Sequence, residues 1–475
     1  SWTDVIPPSD PMTTSTDERL RRAFALLQAH LRREAEEPVV PYESAERLLA
    51  RLDLSLDGTP VEDDRLFALL DALVAATPRT TTRRFFNQLF SGRDDFGVIG
   101  ELIASFLNSS MYTFKAAGPQ VLIEREITRR MAERVGFPSG EGVFVPGGSM
   151  SNLVGMVLAR NAHRPAGRET GVEGPTLTAY ASEVAHYSLP KNAGMLGLGR
   201  ENVRRIAIDE RGRMRPDALR EAIAADRAAG RDPFLIVATA GTTVLGAFDP
   251  IDAVADVADE FDLWLHVDGA LGGSVSFSER HRGLLEGSAR AHSFTWNAHK
   301  MLGVPLPASV LLTREQGVLR ANMDEEATYL FQDDDSAYEH GTMSPQCGRR
   351  NDALKFWASW KSHGDAGLAA RVDRLFELAR HAARRVESED ALVLTREPES
   401  VTVCFEVAGR RSEDVCERLR RQARSLVGYG IVDGRRVIRL AVVNGVIGPE
   451  DVDAFFDEVL AVAPDATEGD NALEG

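Results

Sequence analysis

The spacing of apolar residues along the chain predicts two kinds of structure. Apolar residues recur at helical intervals between residues 20 and 31 and again between residues 66 and 73. From about residue 95 to residue 310, short apolar runs alternate with helical stretches instead. Such alternation is typical of βαβ units, in which helices cover both faces of a mostly parallel sheet. The sequence therefore predicts an α/β domain that follows an amino-terminal helical segment.

The pattern changes again beyond residue 345. A helix through Trp357 and Trp360 is followed by strand-like runs at residues 401–407 and 436–443, and by a last helix near residues 449–462. This mixture predicts a small α+β domain. We therefore divide the chain into a helical segment (1–94), a large domain (95–345) and a small carboxyl-terminal domain (346–475).

Composition narrows the class of protein. The 475 residues are 43% hydrophobic and 27% charged, as in soluble globular proteins, and 55 basic against 72 acidic residues give a net charge of −17. This charge argues against nucleic acid or a membrane surface as a partner. The three cysteines are too scattered for a disulfide framework or a Cys-x-x-Cys metal site, so no metal is predicted.

Two further features bear on location. No apolar run approaches the roughly 18 residues that a membrane span needs, and no charged-then-apolar leader opens the chain. Together with the few cysteines, these features predict a cytoplasmic protein. Residues 1–11 are polar and rich in proline, so they are expected to be either non-native residues or a disordered arm, and Met12 is a candidate natural start.

One aspartate and one lysine carry the strongest chemical signal. Asp268 ends the apolar run at residues 263–268, and Lys300 follows in a His-Lys pair. A lysine amine can bind the aldehyde of pyridoxal phosphate (PLP), while a buried aspartate keeps the pyridine nitrogen of that cofactor protonated. Taken alone, each is more often an ordinary surface lysine or strand-end aspartate. The prediction therefore depends on the motifs around them.

A Gly-Gly-Ser motif at residues 147–149 follows a strand-like run and opens a helix that is predicted to begin near Asn152. Glycines let backbone amides approach an anion, and the start of a helix adds free N–H groups and a positive dipole. Ser149 and Ser151 would add hydroxyl donors. Alternatively, the motif only caps the amino terminus of the helix and binds no anion.

Two other positions fit a cofactor site. Thr242 and Thr243 follow the apolar run at residues 233–239, at the end of a strand where ligands collect in open α/β sheets. Alternatively, the two threonines belong to an ordinary turn and do not contact a ligand. His186 is suited to stacking on a planar ring, although a single histidine is more often structural.

Several ordered stretches together resemble the glutamate, cysteine sulfinate and aspartate decarboxylase branch of the group II PLP-dependent amino acid decarboxylases. The stretches lie at residues 84–92, 107–113, 146–152, 266–270, 295–300, 346–350 and 352–361. The resemblance runs from about residue 80 to residue 460. It implies the PLP-dependent transferase fold type I, with a mostly parallel seven-stranded sheet between helices. It also implies a homodimer with the active site at the subunit interface, in which the segment 1–94 serves dimerisation.

The resemblance assigns roles position by position. Lys300 matches the lysine that binds the cofactor, Asp268 the partner of the pyridine nitrogen, and His186 the stacking histidine. Ala270 matches the small residue beneath the ring. The full set of predicted cofactor-binding residues is Gly148, Ser149, Ser151, His186, Thr242, Thr243, Asp268, Ala270, Asn297, His299 and Lys300.

The family uses a tyrosine on a flexible loop to return a proton to the substrate's α-carbon. Tyr338 is the candidate in the polar segment at residues 332–345, and His340 is the alternative. The segment is shorter than the family's usual loop, so Tyr338 either supplies the proton or matches a different, non-catalytic tyrosine.

Five positions are expected to bind the substrate: Gln88, Phe90, Ser110, Lys115 and Arg439. Arg439 matches the arginine that takes a substrate carboxylate, for which bidentate guanidinium geometry is suited. Phe90 and Ser110 resemble the cysteine sulfinate and aspartate type, and the bulk of Phe90 would shorten the pocket. Lys115 stands where relatives usually carry glutamate. It favours a sulfonate or phosphonate such as 3-phosphonoalanine, unless it is a solvated or salt-bridged lysine.

The resemblance therefore implies PLP-dependent decarboxylation of a short acidic L-amino acid: cysteine sulfinate, cysteate, aspartate or a phosphonate analogue. Three alternatives stay open. They are a glutamate decarboxylase, an oxidative decarboxylase that forms an aldehyde, and a non-catalytic regulator with a PLP fold. The retention of Lys300, Asp268 and His186 argues against the regulator.

Overall fold

The computed structural model describes residues 15–36, 39, 42–325 and 338–462. The predictions for residues 1–11, Met12 and residues 332–337 lie outside these ranges. The helices are α1 (Thr16–Glu36), α2 (Ala45–Arg51), α3 (Asp63–Ala76), α4 (Asp95–Leu107), α5 (Phe114–Ala117), α6 (Pro119–Arg134), α7 (Gly148–His163), α8 (Gly167–Thr170), α9 (Ser188–Met195), α10 (Pro216–Ala228), α11 (Ile251–Phe261), α12 (Val318–Met323), α13 (Ala353–Glu387), α14 (Ser412–Arg421) and α15 (Pro449–Val462).

The strands are β1 (Glu141–Val145), β2 (Leu177–Ser182), β3 (Val203–Ile206), β4 (Asp232–Thr239), β5 (Trp264–Gly269), β6 (Ser293–Asn297), β7 (Ser309–Thr313), β8 (Leu392–Leu394), β9 (Thr402–Val407), β10 (Gly428–Val432) and β11 (Arg435–Ala441). The predicted apolar runs coincide with β1, β4, β5, β7, β9 and β11. The helix expected near Asn152 begins earlier, at Gly148.

A seven-stranded sheet forms the centre of the large domain, in the order β1-β7-β6-β5-β4-β2-β3. The β7 strand is antiparallel to both of its neighbours, while β6, β5, β4, β2 and β3 pair in parallel. The β1 strand therefore runs in the same direction as β6. The carboxyl ends of β1, β2, β4, β5 and β6 meet at one edge, where α/β proteins bind ligands. The mostly parallel seven-stranded sheet is confirmed.

Burial on both faces explains the near-continuous apolar strands. Every side chain of β2, β6 and β7 is buried, and Trp296 has no exposed surface. The helix α11 shows how the covering layer is built, because its buried residues Ile251, Val254, Ala255 and Ala258 recur on one face.

A four-stranded antiparallel sheet, in the order β10-β11-β9-β8, forms the small domain. Its core includes residues of α14 and α15. The helix α13 bends at Gly364, where the backbone φ is 63°. Phe356 and Phe376 of α13 pack in the core of the large domain, while Leu378 and Val386 pack in that of the small domain. The predicted boundary at residue 346 thus precedes a helix shared by both cores, and the domain limits stay a prediction.

Apolar side chains remain exposed on the amino-terminal helices. Those on α1 and α3 include Phe24, Leu31 and Leu66, and a more exposed set on α4 comprises Phe96, Ile99, Ile103, Phe106 and Leu107. Contiguous apolar surface of this kind marks interaction sites. Within the described ranges, no helix is both long enough and apolar enough to cross a membrane.

Candidate active site

Lys300 lies in the turn after β6, at the edge of the sheet where the parallel strands have their carboxyl ends. Its backbone N–H donates to the carbonyl of Asn297 (3.3 Å), and its own carbonyl accepts from Gly303 (3.2 Å). Burial lowers the pKa of the Lys300 amine, the positive charge of Arg439 lowers it further, and Asp268 opposes both. A lysine with a depressed pKa has more of the neutral amine that attacks an aldehyde.

Asp268 lies beside Lys300 at the carboxyl end of β5, and it is 5% exposed. Its Oδ2 accepts from the amide nitrogen of Asn152 (2.8 Å), and its Oδ1 accepts from the backbone of Ala270 (3.1 Å). Both of these donors are neutral amides, and Lys300 interacts with the carboxylate through its charge. A buried carboxylate with neutral hydrogen-bond donors suits the protonated nitrogen of a pyridine ring.

His186 follows β2 and is held in one orientation. Its Nδ1 accepts from the hydroxyl (2.8 Å) and the backbone N–H (3.2 Å) of Ser188. Burial lowers the pKa of the imidazole, and Lys300 lowers it further, while Asp268 raises it. The ring is therefore neutral at physiological pH and close to both charged groups. This is the environment that a histidine stacked on a cofactor ring requires.

A polar cradle lies where α7 begins. The helix starts at Gly148, and a Cβ added there would lie 2.6 Å from the side-chain nitrogen of Asn297. The Oδ1 of Asn297 is buried and has no hydrogen-bond partner. The free amides of the helix start can hold a phosphate, and Ser149, which is partly exposed, lies in the first turn. The cradle has the space and the chemistry for the phosphate of PLP.

His299 supports the turn that carries Lys300. It is 8% exposed, and its Nδ1 accepts from the backbone N–H of Ala308 (3.0 Å). Burial lowers the pKa of His299 to about 3, and the neighbouring amines of Lys300 and Lys355 also lower it. A neutral imidazole with its Nδ1 occupied keeps a donor at Nε2, which suits an anionic group.

Arg439 reaches from β11 of the small domain to the same edge. Its Nη1 donates to the carbonyl of Thr243 (3.0 Å), and its Nη2 donates to the carbonyl of Asn87. The Nε is buried without a partner, and burial lowers the pKa of the guanidinium. The guanidinium is therefore held in place by two carbonyls and keeps one unused donor, and its role in substrate binding stays a prediction.

Thr242 and Ala270 lie in the turns that follow β4 and β5. The Thr242 hydroxyl accepts from the backbone of Ala247 (3.0 Å), and Thr242 is buried in the turn after β4. Ala270, 8% exposed, follows the strand that carries Asp268. The carbonyl of Thr243 accepts a hydrogen bond from Arg439. The two threonines thus lie in a turn, and their role in the cofactor site stays a prediction.

Ser151 does not line the cofactor site, contrary to the prediction. Its hydroxyl contacts Thr295 Oγ1 (2.8 Å) and donates to the carbonyl of Val310 (3.1 Å), so it faces the sheet. The reason is the earlier start of α7, which turns Ser151 inward. Asn152, which the sequence analysis missed, provides the contact to Asp268. The sequence signal available for Asn152 was its position near the start of the helix that begins at the cofactor cradle.

The predicted proton donors lie elsewhere. The ring of Tyr338 packs on Phe114 (5.6 Å between centroids) and on the guanidinium of Arg125 (4.7 Å). It borders a cavity of about 610 Å³ beside Gly140, at the amino edge of the sheet and opposite to Lys300. A role for Tyr338 at Lys300 of its own chain is therefore wrong. His340 is buried, with its Nδ1 3.6 Å from Glu124, so it is not available as the alternative donor.

The predicted substrate residues divide into two groups. Gln88 is exposed and directly follows Asn87, the partner of Arg439, and Phe90 packs near Phe85 (6.1 Å between ring centroids). Ser110 instead accepts from the backbone of Arg349 (3.3 Å) and borders a cavity of about 380 Å³ beside α4. Lys115 is exposed on α5. One chain thus brings Arg439 and the Gln88 segment to Lys300, but it keeps Ser110 on the side of the exposed α4 face.

Residues 46–408 match the pyridoxal-dependent decarboxylase conserved domain. The chain belongs to this family. It is therefore a PLP-dependent decarboxylase, and the predictions of family, enzyme class and cofactor are confirmed. The roles of individual residues stay predictions, although the structure brings Lys300, Asp268, His186, Asn297 and Arg439 to one cleft.

Known relatives cover nearly the whole chain. The cysteine sulfinic acid decarboxylase of Mus musculus is 39% identical over 454 residues, which are 91% of this chain and 92% of that protein. The acidic amino acid decarboxylase GADL1 of the same species is 37% identical over 91% of this chain and 83% of its own length. The crystal structure of mouse CSAD has a TM-score of 0.91 at 37% identity and covers 94% of this chain and 98% of that chain. This likeness confirms the predicted fold.

Proposed function

We propose that this decarboxylase acts on a short acidic L-amino acid, namely cysteine sulfinate, cysteate, aspartate or a phosphonate analogue. The observation that carries the proposal is the guanidinium of Arg439, which is held by two carbonyls and keeps a buried Nε free beside Lys300. The names of the relatives, a cysteine sulfinic acid decarboxylase and an acidic amino acid decarboxylase, support the same class.

The residues of this chain have separate roles in the proposed reaction. Lys300, Asp268 and His186 hold the cofactor ring, while Asn297 and the start of α7 hold the phosphate. When bound, PLP withdraws electrons from the bond that releases CO2. The carboxylate of Asp268 would lie against the ring nitrogen, where an opposite charge favours the protonated form of that nitrogen. Arg439 orients the substrate carboxylate against the cofactor, and this orientation decides which bond breaks.

Pocket length is the basis for a short substrate. Phe90 lies two residues after Gln88, in the segment whose Asn87 carbonyl receives Arg439. A phenylalanine in this segment leaves less length than a small polar residue would. CO2 release should be measured with aspartate, cysteine sulfinate, cysteate, 3-phosphonoalanine and glutamate. We expect glutamate to be the poorest of the five, and faster turnover of glutamate would contradict the argument from Phe90.

A homodimer would complete the site. The exposed apolar face of α4 is of the kind that oligomers bury, and Ser110 borders a cavity next to it. Since Tyr338 and Ser110 lie away from Lys300 of their own chain, any contact they make with substrate comes from the partner subunit. Analytical ultracentrifugation of the protein and of Phe106→Asp tests this, and a monomeric wild type with full activity would exclude it. A cytoplasmic location stays a prediction.

The position of Tyr338 supports a second candidate. If no subunit brings a proton donor to the α-carbon, the enzyme could instead form an aldehyde. That reaction takes up dioxygen and water and releases CO2, ammonia and hydrogen peroxide together with the aldehyde. Product analysis with an oxygen electrode separates the two: amine without oxygen uptake supports simple decarboxylation, and aldehyde with matching oxygen uptake supports the second candidate.

A further inference from the structure

A chain of buried hydrogen bonds connects His266 to the two residues that hold the cofactor ring. His266 lies on β5, two residues before Asp268, and has no exposed surface. Its Nδ1 is 2.8 Å from the hydroxyl of Ser293, and its Nε2 is 3.1 Å from Oδ1 of Asn152. Asn152 in turn donates from Nδ2 to Asp268 (2.8 Å) and to the Ser188 hydroxyl (3.2 Å).

The carboxylate fixes the orientation of the Asn152 amide and, through it, the tautomer of the neutral His266 ring. The amide oxygen of Asn152 would repel Asp268, so the NH2 group must face Asp268 and the oxygen must face His266. The Nε2 of His266 must then carry the hydrogen. Its Nδ1 is left as an acceptor from Ser293, whose oxygen receives the indole N–H of Trp264 (2.9 Å). At the other end, Ser188 accepts from Asn152 and donates to Nδ1 of His186.

Packing holds His266 in this place. A Cβ added at Gly155 of α7 would lie 2.8 Å from both Cε1 and Nδ1 of the imidazole, so the helix backbone closes over the ring. Burial lowers the pKa of His266 to about 4, although Asp268 raises it. The ring is therefore neutral at working pH, with a hydrogen on one nitrogen and an acceptor on the other. The other neutral tautomer would leave two acceptors, Nε2 of His266 and the amide oxygen of Asn152, facing each other at 3.1 Å.

We propose that His266 and Asn152 are positioning residues that hold Asp268 and His186 together in the orientation that binds the cofactor ring. The inference rests on the proposed cofactor site and adds residues that do not touch the ring themselves. Asn152 links the group beneath the ring nitrogen to the group that stacks on the ring. The Thr295 hydroxyl also donates to the amide oxygen of Asn152 (2.8 Å), so loss of His266 removes one of the two donors that orient this amide and weakens both of its contacts.

The first test measures the unsubstituted apoenzyme. Nitrogen NMR with ¹⁵N-labelled histidine, assigned by comparison with His266→Gln, should show a neutral His266 with its hydrogen on Nε2. A hydrogen on Nδ1, or a charged ring at pH 7, would overturn the proposal. This measurement does not depend on whether an apolar variant folds.

The second test is the dissociation constant for PLP, measured by fluorescence quenching of the apoenzyme. We expect His266→Leu to raise it by about 3- to 10-fold, the range for one lost hydrogen bond between neutral groups. His266→Gln, whose amide can donate to Asn152 and accept from Ser293, should recover most of the affinity. The matched control is His292→Asn. His292 touches the same strand through the Leu265 amide (3.0 Å) and stacks on Trp264, but it does not contact Asn152.

The outcomes separate this inference from the proposed cofactor site. If wild type fails to bind PLP, or binds it equally well as Lys300→Ala, the cofactor site itself is wrong. If wild type binds through Lys300 but His266→Leu changes affinity by less than about twofold, or by no more than His292→Asn does, the positioning role is wrong. If His266→Leu does not fold, two other measurements decide: the tautomer of His266 in the wild type and the affinity of Asn152→Asp for PLP. An added carboxylate beside Asp268 should weaken PLP binding at least tenfold.

Discussion

Replacement of Arg439 by methionine tests the substrate site most sharply. Two of the guanidinium nitrogens are already occupied by the carbonyls of Thr243 and Asn87, and the buried Nε has no partner. A substrate carboxylate would therefore meet a charge that is fixed before binding. Hydrogen bonds to charged groups contribute about 1.5–3 kcal/mol each. Loss of one or two of them should cost about 2–4 kcal/mol in the transition state.

This cost corresponds to a fall of about 30- to 1000-fold in kcat/KM, at 1.4 kcal/mol for each factor of ten. Binding of PLP should change little, because in the proposed site Arg439 binds the substrate, whereas Asp268 and the phosphate cradle bind the cofactor. Arg439→Lys should recover little, since an ammonium cannot reproduce the planar fork. The assay is CO2 release at several substrate concentrations, together with PLP affinity.

Arg436→Met is the matched control, because Arg436 lies on the same strand and pairs with the exposed side of Glu413. Its kcat/KM should stay within about twofold of wild type, since surface ion pairs contribute little. The reasoning about Arg439 is refuted if Arg439→Met keeps more than a fifth of the wild-type kcat/KM. It is also refuted if PLP affinity falls as much as activity does.

Two other predictions concern charge. Burial alone would raise the pKa of Glu124, but Arg349 and His340 overcome it and lower the pKa from 4.5 to about 2. Because the folded-state pKa lies below the unfolded one, this stabilisation of about 3 kcal/mol is complete above pH 4.5 and is lost as the pH falls toward 2. Glu124→Gln should therefore be less stable at pH 7 and lose less stability on acidification in denaturant titrations; equal acid sensitivity would contradict this. For Lys115→Glu we expect a selective loss of kcat/KM for the most highly charged substrate, and an equal effect on all substrates would exclude a role in specificity.

Much of the fold and of the cofactor site follows from local sequence patterns. Buried parallel strands read as continuous apolar runs, so the ends of β5 and β6, and with them Asp268 and Lys300, could be located from the sequence. The family motifs then gave His186, Asn297 and Arg439 their roles. Those roles stay predictions, and the structure supports them by placing all five residues at one edge of the sheet.

The failures have physical causes that the sequence pattern does not contain. Ser151 faces the sheet because α7 begins at Gly148, and a shift of a few residues rotates a side chain to another face of a helix. Asn152 was missed because its partner Asp268 is 116 residues away along the chain. Tyr338 was assigned from its position in a loop, but the path of the chain carries it to the opposite edge of the sheet.

The central claim is that Lys300 binds PLP covalently in an enzyme that releases CO2 from an acidic amino acid. Borohydride reduction of the PLP-loaded protein, followed by peptide mass spectrometry, tests the attachment directly. We predict a pyridoxyl group on Lys300, its absence from Lys300→Ala, and no change in the control Lys361→Ala, whose lysine is exposed on α13. A pyridoxyl group on another lysine, with Lys300 unmodified, would contradict the account.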